Sequence, residues 1–134
     1  MTQATRELLA RREDVWAFLA EPYHLADWWP GVVGVVPDRR GFAPGARWKV
    51  RITTRNVFTG RAERETLLLV REVDLYERWS WHIVATRLDA EITLRAAGDH
   101  TFATCSTSGR RPIGETALRR LYDLLQTAAD LRPL

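Results

Sequence analysis

The most informative segment of the chain is EDVWAFLAEPYHLADWWPGVVGV, which spans residues 13–35. Apolar side chains recur at helical spacing in its first half, and two acidic residues suit the positive end of a helix, which predicts a helix over residues 12–21. Pro22 ends that helix. A second short helix is predicted over residues 24–29, and Pro30 with the following glycine stops it.

Strand patterns lie on both sides of this segment. Residues 4–10 predict a first strand. The clearest alternation comes later, where Trp48, Val50 and Ile52 share one face and charged residues take the other. Recurrent Pro and Gly turn signals separate the apolar stretches, as in an antiparallel sheet. The strands predicted after the two helices cover residues 32–37, 47–55, 62–73, 78–86, 90–95 and 101–108.

The C-terminal segment predicts a long helix that begins at Pro112, a residue favoured in a first turn. Its apolar residues form one stripe, which consists of Leu118, Leu121, Tyr122, Leu125 and Ala128. The predicted order is therefore a strand, two helices, about six strands and a long helix. This order indicates one α+β domain over residues 1–134, with an antiparallel sheet packed on the C-terminal helix.

The segment from residue 13 to residue 35 resembles the opening of the START-like (SRPBCC) helix-grip superfamily, and within it the polyketide cyclase/dehydrase and lipid transport family. Its Trp pair at residues 28–29 is also similar to the Hsp90-activator-like branch, so both subfamilies stay open. Gly45 before a strand, the RWSW sequence at residues 78–81 and the DHT sequence at residues 99–101 fit the same pattern. The matching residues of the opening are Val15, Trp16, Leu19, Glu21, Pro22, Leu25, Trp28, Pro30, Gly31 and Val32.

The resemblance implies a Bet v 1/START-like fold, in which a curved sheet of about seven strands grips the C-terminal helix. It also implies a cavity for a hydrophobic ligand between the sheet and that helix. Physical reasoning agrees, because a curved sheet cannot touch a straight helix along its whole length, and concave apolar sites are the usual small-molecule pockets.

The composition excludes several classes of protein. With 134 residues, 46% of them hydrophobic, the chain can form a core of ordinary size. Its one cysteine, Cys105, excludes an intramolecular disulfide and a cysteine-based zinc site, and the three histidines lack metal-ligand spacing. We therefore predict no metal, and we predict no cofactor because no nucleotide-binding motif is present.

Charge and hydropathy predict the kind of partner. The net charge is only +3, and the arginine pairs are scattered among acidic residues, so we predict no nucleic-acid binding. No apolar run approaches the roughly 20 residues that span a bilayer, and the N-terminus lacks the apolar stretch of a signal peptide. We therefore predict a cytoplasmic protein without membrane insertion.

The predicted ligand-binding residues are mostly tryptophans. Trp48, Trp79 and Trp81 alternate with polar residues and should face the C-terminal helix, where they could stack on a ligand or donate an indole N–H to it. The alternative is that they only fill the core. Trp28 and Trp29 should border the cavity mouth, with one packed inward and the other exposed or capping the opening. An exposed Trp there would support ligand binding or a homodimer contact.

Two further residue types are candidates for polar contacts with a ligand or substrate. Tyr122 lies on the apolar stripe of the last helix, and its phenol could bind a ligand carbonyl or simply reach solvent or backbone. His24, on the helix at the mouth, is the candidate general acid or base. His82 faces away from Trp81 and His100 lies in a turn, and no partner carboxylate can be assigned to any histidine from spacing.

In cyclases of the family that the chain resembles, an arginine within the pocket is the usual group that polarises a substrate carbonyl, and the candidate arginines of this chain lie in its strands. Arg51 should lie on the solvated outer face of the sheet, as should Arg55. Arg64 and Arg95 have no assigned face, because one β-bulge would reverse them, and the solvated outer face is the default expectation. Cys105 should lie buried and inert in the last strand.

The function expected from these observations is binding of a small hydrophobic molecule, such as a lipid or a polyketide-like aromatic, in the cavity between sheet and helix. One alternative is an aromatase/cyclase-type enzyme that positions a reactive chain. The other is an Hsp90-activator-like interaction domain. An inward-facing His or Arg near the pocket floor would favour the enzyme, an all-apolar wall would favour the binding module, and an exposed apolar patch outside the cavity would favour the interaction domain or a homodimer.

Overall fold

The protein was analysed as a computed structural model, which describes residues 1–56, 58 and 60–130, with the backbone alone at 55, 56, 129 and 130. Its seven strands form one antiparallel sheet in the order β1-β7-β6-β5-β4-β3-β2. The elements are β1 (Thr2–Leu8), α1 (Arg12–Leu19), a 3-10 turn (Pro22–His24), α2 (Leu25–Trp28), β2 (Val32–Val36), β3 (Arg47–Asn56), β4 (Gly60–Asp74), β5 (Arg78–Ile83), β6 (Leu88–Ala97), β7 (His100–Thr107) and α3 (Ile113–Asp130). This architecture confirms the predicted helix-grip α+β fold.

The element boundaries differ from the predicted ones where pairing, rather than apolar pattern, defines the element. Strand β1 begins two residues earlier than predicted and pairs with β7 over its whole length, although Leu8 is its only buried residue. The second helix is split into a 3-10 turn and one short α-helix. Strand β5 ends at Ile83, because the chain then turns into β6 through Arg87, whose φ is 53°.

The C-terminal helix lies against one side of the sheet. Helix α3 packs mainly on β1 and β7, and at its second residue, Gly114, the helix comes very close to β7. A Cβ atom at Gly114 would lie 3.1 Å from the carbonyl oxygen of Cys105 and 3.2 Å from its Cβ, so glycine permits this approach. Helix α2 contacts β2 and α3 and contributes Trp28 to the core beside β5.

Strand register determines the faces of the strand arginines. Arg64 pairs with the buried Ile52, so it lies on the concave face rather than on the expected outer face. Arg95 pairs with Phe102 and lies on the outer face, where its guanidinium is 4.9 Å from the Phe102 ring centroid. Arg51 lies on the outer face as predicted, 3.6 Å from a carboxylate oxygen of Glu63. The prediction for the side chain of Arg55 lies outside the described side chains.

Candidate functional site

The predicted ligand-binding tryptophans come together in one aromatic cluster inside the fold. Trp48, Trp79 and Trp81 face inward as predicted, and none is more than 1% exposed. The rings of Trp79 and Trp81 stack with centroids 4.1 Å apart, because residues two apart in a strand share a face. Trp28 packs edge-on against both rings, and Trp48 lies 5.8 Å from Trp79.

The indole N–H groups of this cluster differ in their hydrogen bonding. The N–H of Trp48 donates to the carbonyl oxygen of Gly41 at 2.7 Å. Within the described part of the chain, the buried N–H groups of Trp28, Trp79 and Trp81 have no acceptor. An unpaired buried donor typically costs about 1–3 kcal/mol. The aromatic cluster therefore holds three indole donors without a described acceptor.

A cleft of about 470 Å³ opens beside the cluster, between the sheet and the start of α3. Trp29 contributes to its wall and contacts Trp81, with ring centroids 4.9 Å apart. The remaining wall comes from the turn before β2, from β2 and β3, from the end of β5, from the turn into β6 and the first residue of β6, and from the loop before α3 and the first residue of α3. These residues are Pro30, Gly31, Val32, Ile52, Thr53, Ile83, Thr86, Leu88, Gly109, Arg110, Arg111 and Ile113.

The Trp pair after the first helix is buried as a whole. Neither member is exposed, since Trp28 is 0% and Trp29 is 1% exposed, so the expectation of an exposed Trp is wrong and the alternative, one Trp at the opening, stays a prediction. Trp28 ends α2, whereas Trp29 has an extended backbone, and the two rings pack edge-on with centroids 5.6 Å apart. Gly31, with a φ of 87°, then turns the chain onto β3, where its carbonyl accepts a hydrogen bond from the amide of Thr53 at 2.8 Å. Trp29 rather than Trp28 borders the cleft.

Tyr122 lies away from the cleft. Its ring is half-buried, and the guanidinium of Arg6 lies 4.9 Å from the ring centroid. Helix α3 turns this residue toward β1 rather than toward the cleft wall. A role for Tyr122 in ligand binding therefore remains a prediction without a contact to the cleft.

The histidines have partners that sequence spacing did not reveal. Nδ1 of His24 lies 2.8 Å from the carbonyl oxygen of Phe18, and its ring stacks on the Phe18 ring. Nδ1 of His82 lies 2.8 Å from a carboxylate oxygen of Asp89, its register partner across the β5–β6 turn. The length of this turn sets which residues pair across it, so the turn length could have predicted the contact between His82 and Asp89.

The third histidine and the cysteine are likewise removed from the cleft. Nδ1 of His100 lies 2.7 Å from a carboxylate oxygen of Glu7 at the far end of the β1–β7 pair. Burial raises the pKa of the Cys105 thiol to about 12, so this side chain is neutral and unreactive at physiological pH. Among the described residues no group of three or more His, Cys, Asp or Glu side chains could hold a metal ion, and no described helix meets the length and hydropathy needed to cross a membrane.

Arg110 and Arg111 line the cleft. In the sequence they are one of several scattered basic pairs, and that pattern did not mark them as site residues. Both residues directly precede Pro112 and the start of α3. This position in the sequence could have predicted that they lie where the sheet and the helix meet. The described wall contains no Asp, Glu or His. The cleft therefore combines an apolar wall with two cations.

Comparison with known proteins supports the fold and the family. The family model for "Activator of Hsp90 ATPase homolog 1-like protein" matches residues 9–125. Protein NE0264 from Nitrosomonas europaea is similar in structure, with a TM-score of 0.66, 20% identity and 96% of each chain covered. The AHSA1-like protein from Aeromonas hydrophila gives a TM-score of 0.65 at 13% identity, over 99% of this chain and 98% of the other.

The di-domain ARO/CYC StfQ of the steffimycin biosynthetic pathway is also similar in structure, with a TM-score of 0.67 and 18% identity. The match covers 97% of this chain and 44% of StfQ. None of the curated proteins compared with the chain matches it. At these identities the similar structures show a shared fold.

Proposed function

The chain belongs to the activator of Hsp90 ATPase homolog 1-like family, and we propose that this member binds a small hydrophobic molecule in the cleft between its sheet and the start of α3. The observation that carries the proposal is the cleft itself. Its volume of about 470 Å³ lies within the range of small-molecule sites. Its wall is mainly apolar, with Ile52, Ile83 and Leu88 contributed by three different strands.

The position of Trp29 supports the same proposal. Its ring borders the cleft and packs edge-on against Trp28 and Trp81, at centroid distances of 5.6 and 4.9 Å. A ligand in the cleft would therefore touch the edge of the aromatic cluster. Binding should change the tryptophan fluorescence without requiring the cluster to open.

An aromatase/cyclase-type enzyme is the alternative within the same site. The three unpaired indole N–H groups do not line the cleft, so they do not contact a substrate bound there. The described cleft wall also contains no side chain that titrates near neutral pH, which favours binding over acid–base chemistry. A cyclase acting here would depend on positioning its substrate, with Arg110 and Arg111 as the polar groups at hand.

A pair of variants tests the binding site. Thr86 is exposed and lines the cleft, whereas Val84, in the same turn, is exposed on the outer face. We expect Thr86→Trp to fill the cleft and weaken binding of fatty acids, flavonoids or polycyclic aromatics at least about tenfold in titration calorimetry, as expected for the loss of burial of two CH₂ groups. Val84→Trp should bind as the unmodified protein does. Equal affinities in both variants, or no ligand from the panel bound by the unmodified protein, would refute the proposed site.

An interaction domain of the Hsp90-activator kind is a second candidate, favoured by exposed apolar residues on the outer face of the sheet. Val36 pairs with Lys49, Lys49 pairs with Leu67, and the amide of Val84 donates to the Leu67 carbonyl. Val36, Leu67 and Val84 thus lie in one exposed row on the outer face, with the exposed Lys49 between Val36 and Leu67. The row would serve a chaperone partner or a second copy of the chain.

The two occupants of this row give different results with Leu67→Asp. Loss of ATPase stimulation of an Hsp90 chaperone would support the interaction domain, and a lower mass in analytical ultracentrifugation would support a homodimer. Both candidates would be refuted if the unmodified protein is monomeric and does not change the ATPase rate of the Hsp90 chaperone. Thr86→Trp serves as the control, because it leaves the outer face unaltered.

A further inference from the structure

We infer that the cleft selects an anionic amphiphile, whose acid group binds Arg110 and Arg111 while its apolar chain lies on the cleft wall. This inference rests on the proposed function and specifies its ligand class. Both arginines line the cleft and both are exposed at its rim. The apolar part of the wall comes from Ile52, Ile83 and Leu88. The site is therefore polar and cationic at one side and apolar along the rest.

The loop that carries the two arginines is anchored at both ends. The Ser108 amide donates to the Asp89 carbonyl at 2.9 Å, and the Ser108 hydroxyl accepts from the Asp89 amide at 2.9 Å. At the other end the hydroxyl of Thr2 donates to the Arg111 carbonyl at 3.1 Å. The backbone is thus held at the mouth of the cleft. A ligand acid group would have to order only the two side chains.

Neither guanidinium forms a salt bridge with a described carboxylate. Asp89, whose backbone bonds Ser108 in this loop, contacts His82 on the outer face, and Glu63 lies beside Arg51 there. Uncompensated guanidiniums beside an apolar wall favour a carboxylate or phosphate, because their planar donors match two acceptor oxygens at once.

A third cation strengthens the charge asymmetry of this face. Arg64 pairs with Ile52, a cleft residue, and so lies on the concave face at the β3–β4 end of the sheet. It has no salt bridge with a described acid. The concave face therefore presents positive charge from two directions and no described carboxylate in the cleft wall. The neutral head group of an uncharged lipid would form no ion pair with these arginines.

The test compares dodecanoate with 1-dodecanol, which have the same chain and differ in the head group. We expect the unmodified protein to bind dodecanoate about tenfold more tightly in titration calorimetry, as two partly exposed ion pairs would provide. That preference should shrink when sodium chloride rises from about 0.05 M to about 0.5 M. The double variant Arg110→Gln/Arg111→Gln should bind both probes equally.

The matched control is Arg119→Gln/Arg120→Gln, which removes the same charge from an exposed part of α3 outside the cleft. It should keep the preference for dodecanoate. Equal binding of acid and alcohol by the unmodified protein, or the same loss in both double variants, overturns the anionic selectivity and leaves the proposed cleft intact. Binding of neither probe overturns the proposed function and the inference together. Melting temperatures of both variants within a degree or two of the parent would exclude a folding defect.

Discussion

The unequal hydrogen bonding of two neighbouring tryptophans predicts unequal costs for the same substitution. Trp48 and Trp79 are both buried, at 0% and 1% exposure, and their rings lie 5.8 Å apart. Replacing either by Phe removes the same atoms and leaves a similar cavity, so that cost is shared. Only Trp48 has an acceptor for its indole N–H, the carbonyl oxygen of Gly41.

The size of the difference follows from the hydrogen bonds. Trp48→Phe loses a bond that contributes about 1 kcal/mol, and Trp79→Phe removes an unpaired buried donor that costs about 1–3 kcal/mol. Trp48→Phe should therefore be less stable than Trp79→Phe by about 2–4 kcal/mol. Trp81→Phe should behave like Trp79→Phe, since its N–H is also unpaired.

Urea unfolding followed by far-ultraviolet circular dichroism measures this difference without relying on the altered fluorophore. The dependence of the unfolding free energy on urea should be the same in all variants, which shows that the unfolded states are comparable. Equal free energies of unfolding for Trp48→Phe and Trp79→Phe, or a less stable Trp79→Phe, would refute the assignment of the unpaired donors.

Three further predictions concern the contact between α3 and β7. Gly114→Ala should lower the free energy of unfolding by about 1–2 kcal/mol, because the new Cβ would crowd the backbone and side chain of Cys105, and this cost exceeds the gain in helix propensity. Thermal unfolding measures the change, with the exposed substitution Glu115→Ala as the control. An unchanged or higher stability of Gly114→Ala would contradict the prediction. Burial raises the pKa of Cys105 to about 12, so the folded state keeps its thiol protonated, and stability should fall as pH rises above the ordinary thiol range toward 12. At pH 8 a disulfide reagent should react with Cys105 only as fast as the protein unfolds, and stoichiometric labelling of the folded protein within minutes would contradict this.

Much of the fold could be predicted because the relevant signals are local. The alternation from Trp48 to Ile52 determines which face of β3 is buried, and the structure confirms it. The stripe of Leu118, Leu121 and Leu125 predicts the buried face of α3 in the same way. The Pro and Gly positions set the breaks between elements. Strand β1 was predicted with bounds two residues too late, since the extent of an edge strand with Leu8 as its only buried residue is set by its pairing with β7.

The candidate site could be predicted only in part. The inward orientation of Trp79 and Trp81 follows from period-two alternation and is confirmed. That these two rings lie apart from the cleft could not be predicted in this way, because it depends on how Trp28, Trp29 and α2 fill the space above β5. Arg64 illustrates the same limit, since its face depends on the register with Ile52 across the sheet.

The amino-acid sequence by itself determined that this chain forms an α+β domain with tryptophan-rich inner strands, because apolar period and turn residues act over a few neighbouring positions. The helix-grip form of that domain was implied by the family resemblance of residues 13–35. Only the tertiary structure decided where open space is left. Cleft volume, the unpaired indole donors and the location of Arg110 and Arg111 beside Ile52 all depend on contacts between residues far apart in the chain. Such contacts are set by the close packing of side chains from several elements at once, and no local pattern encodes them.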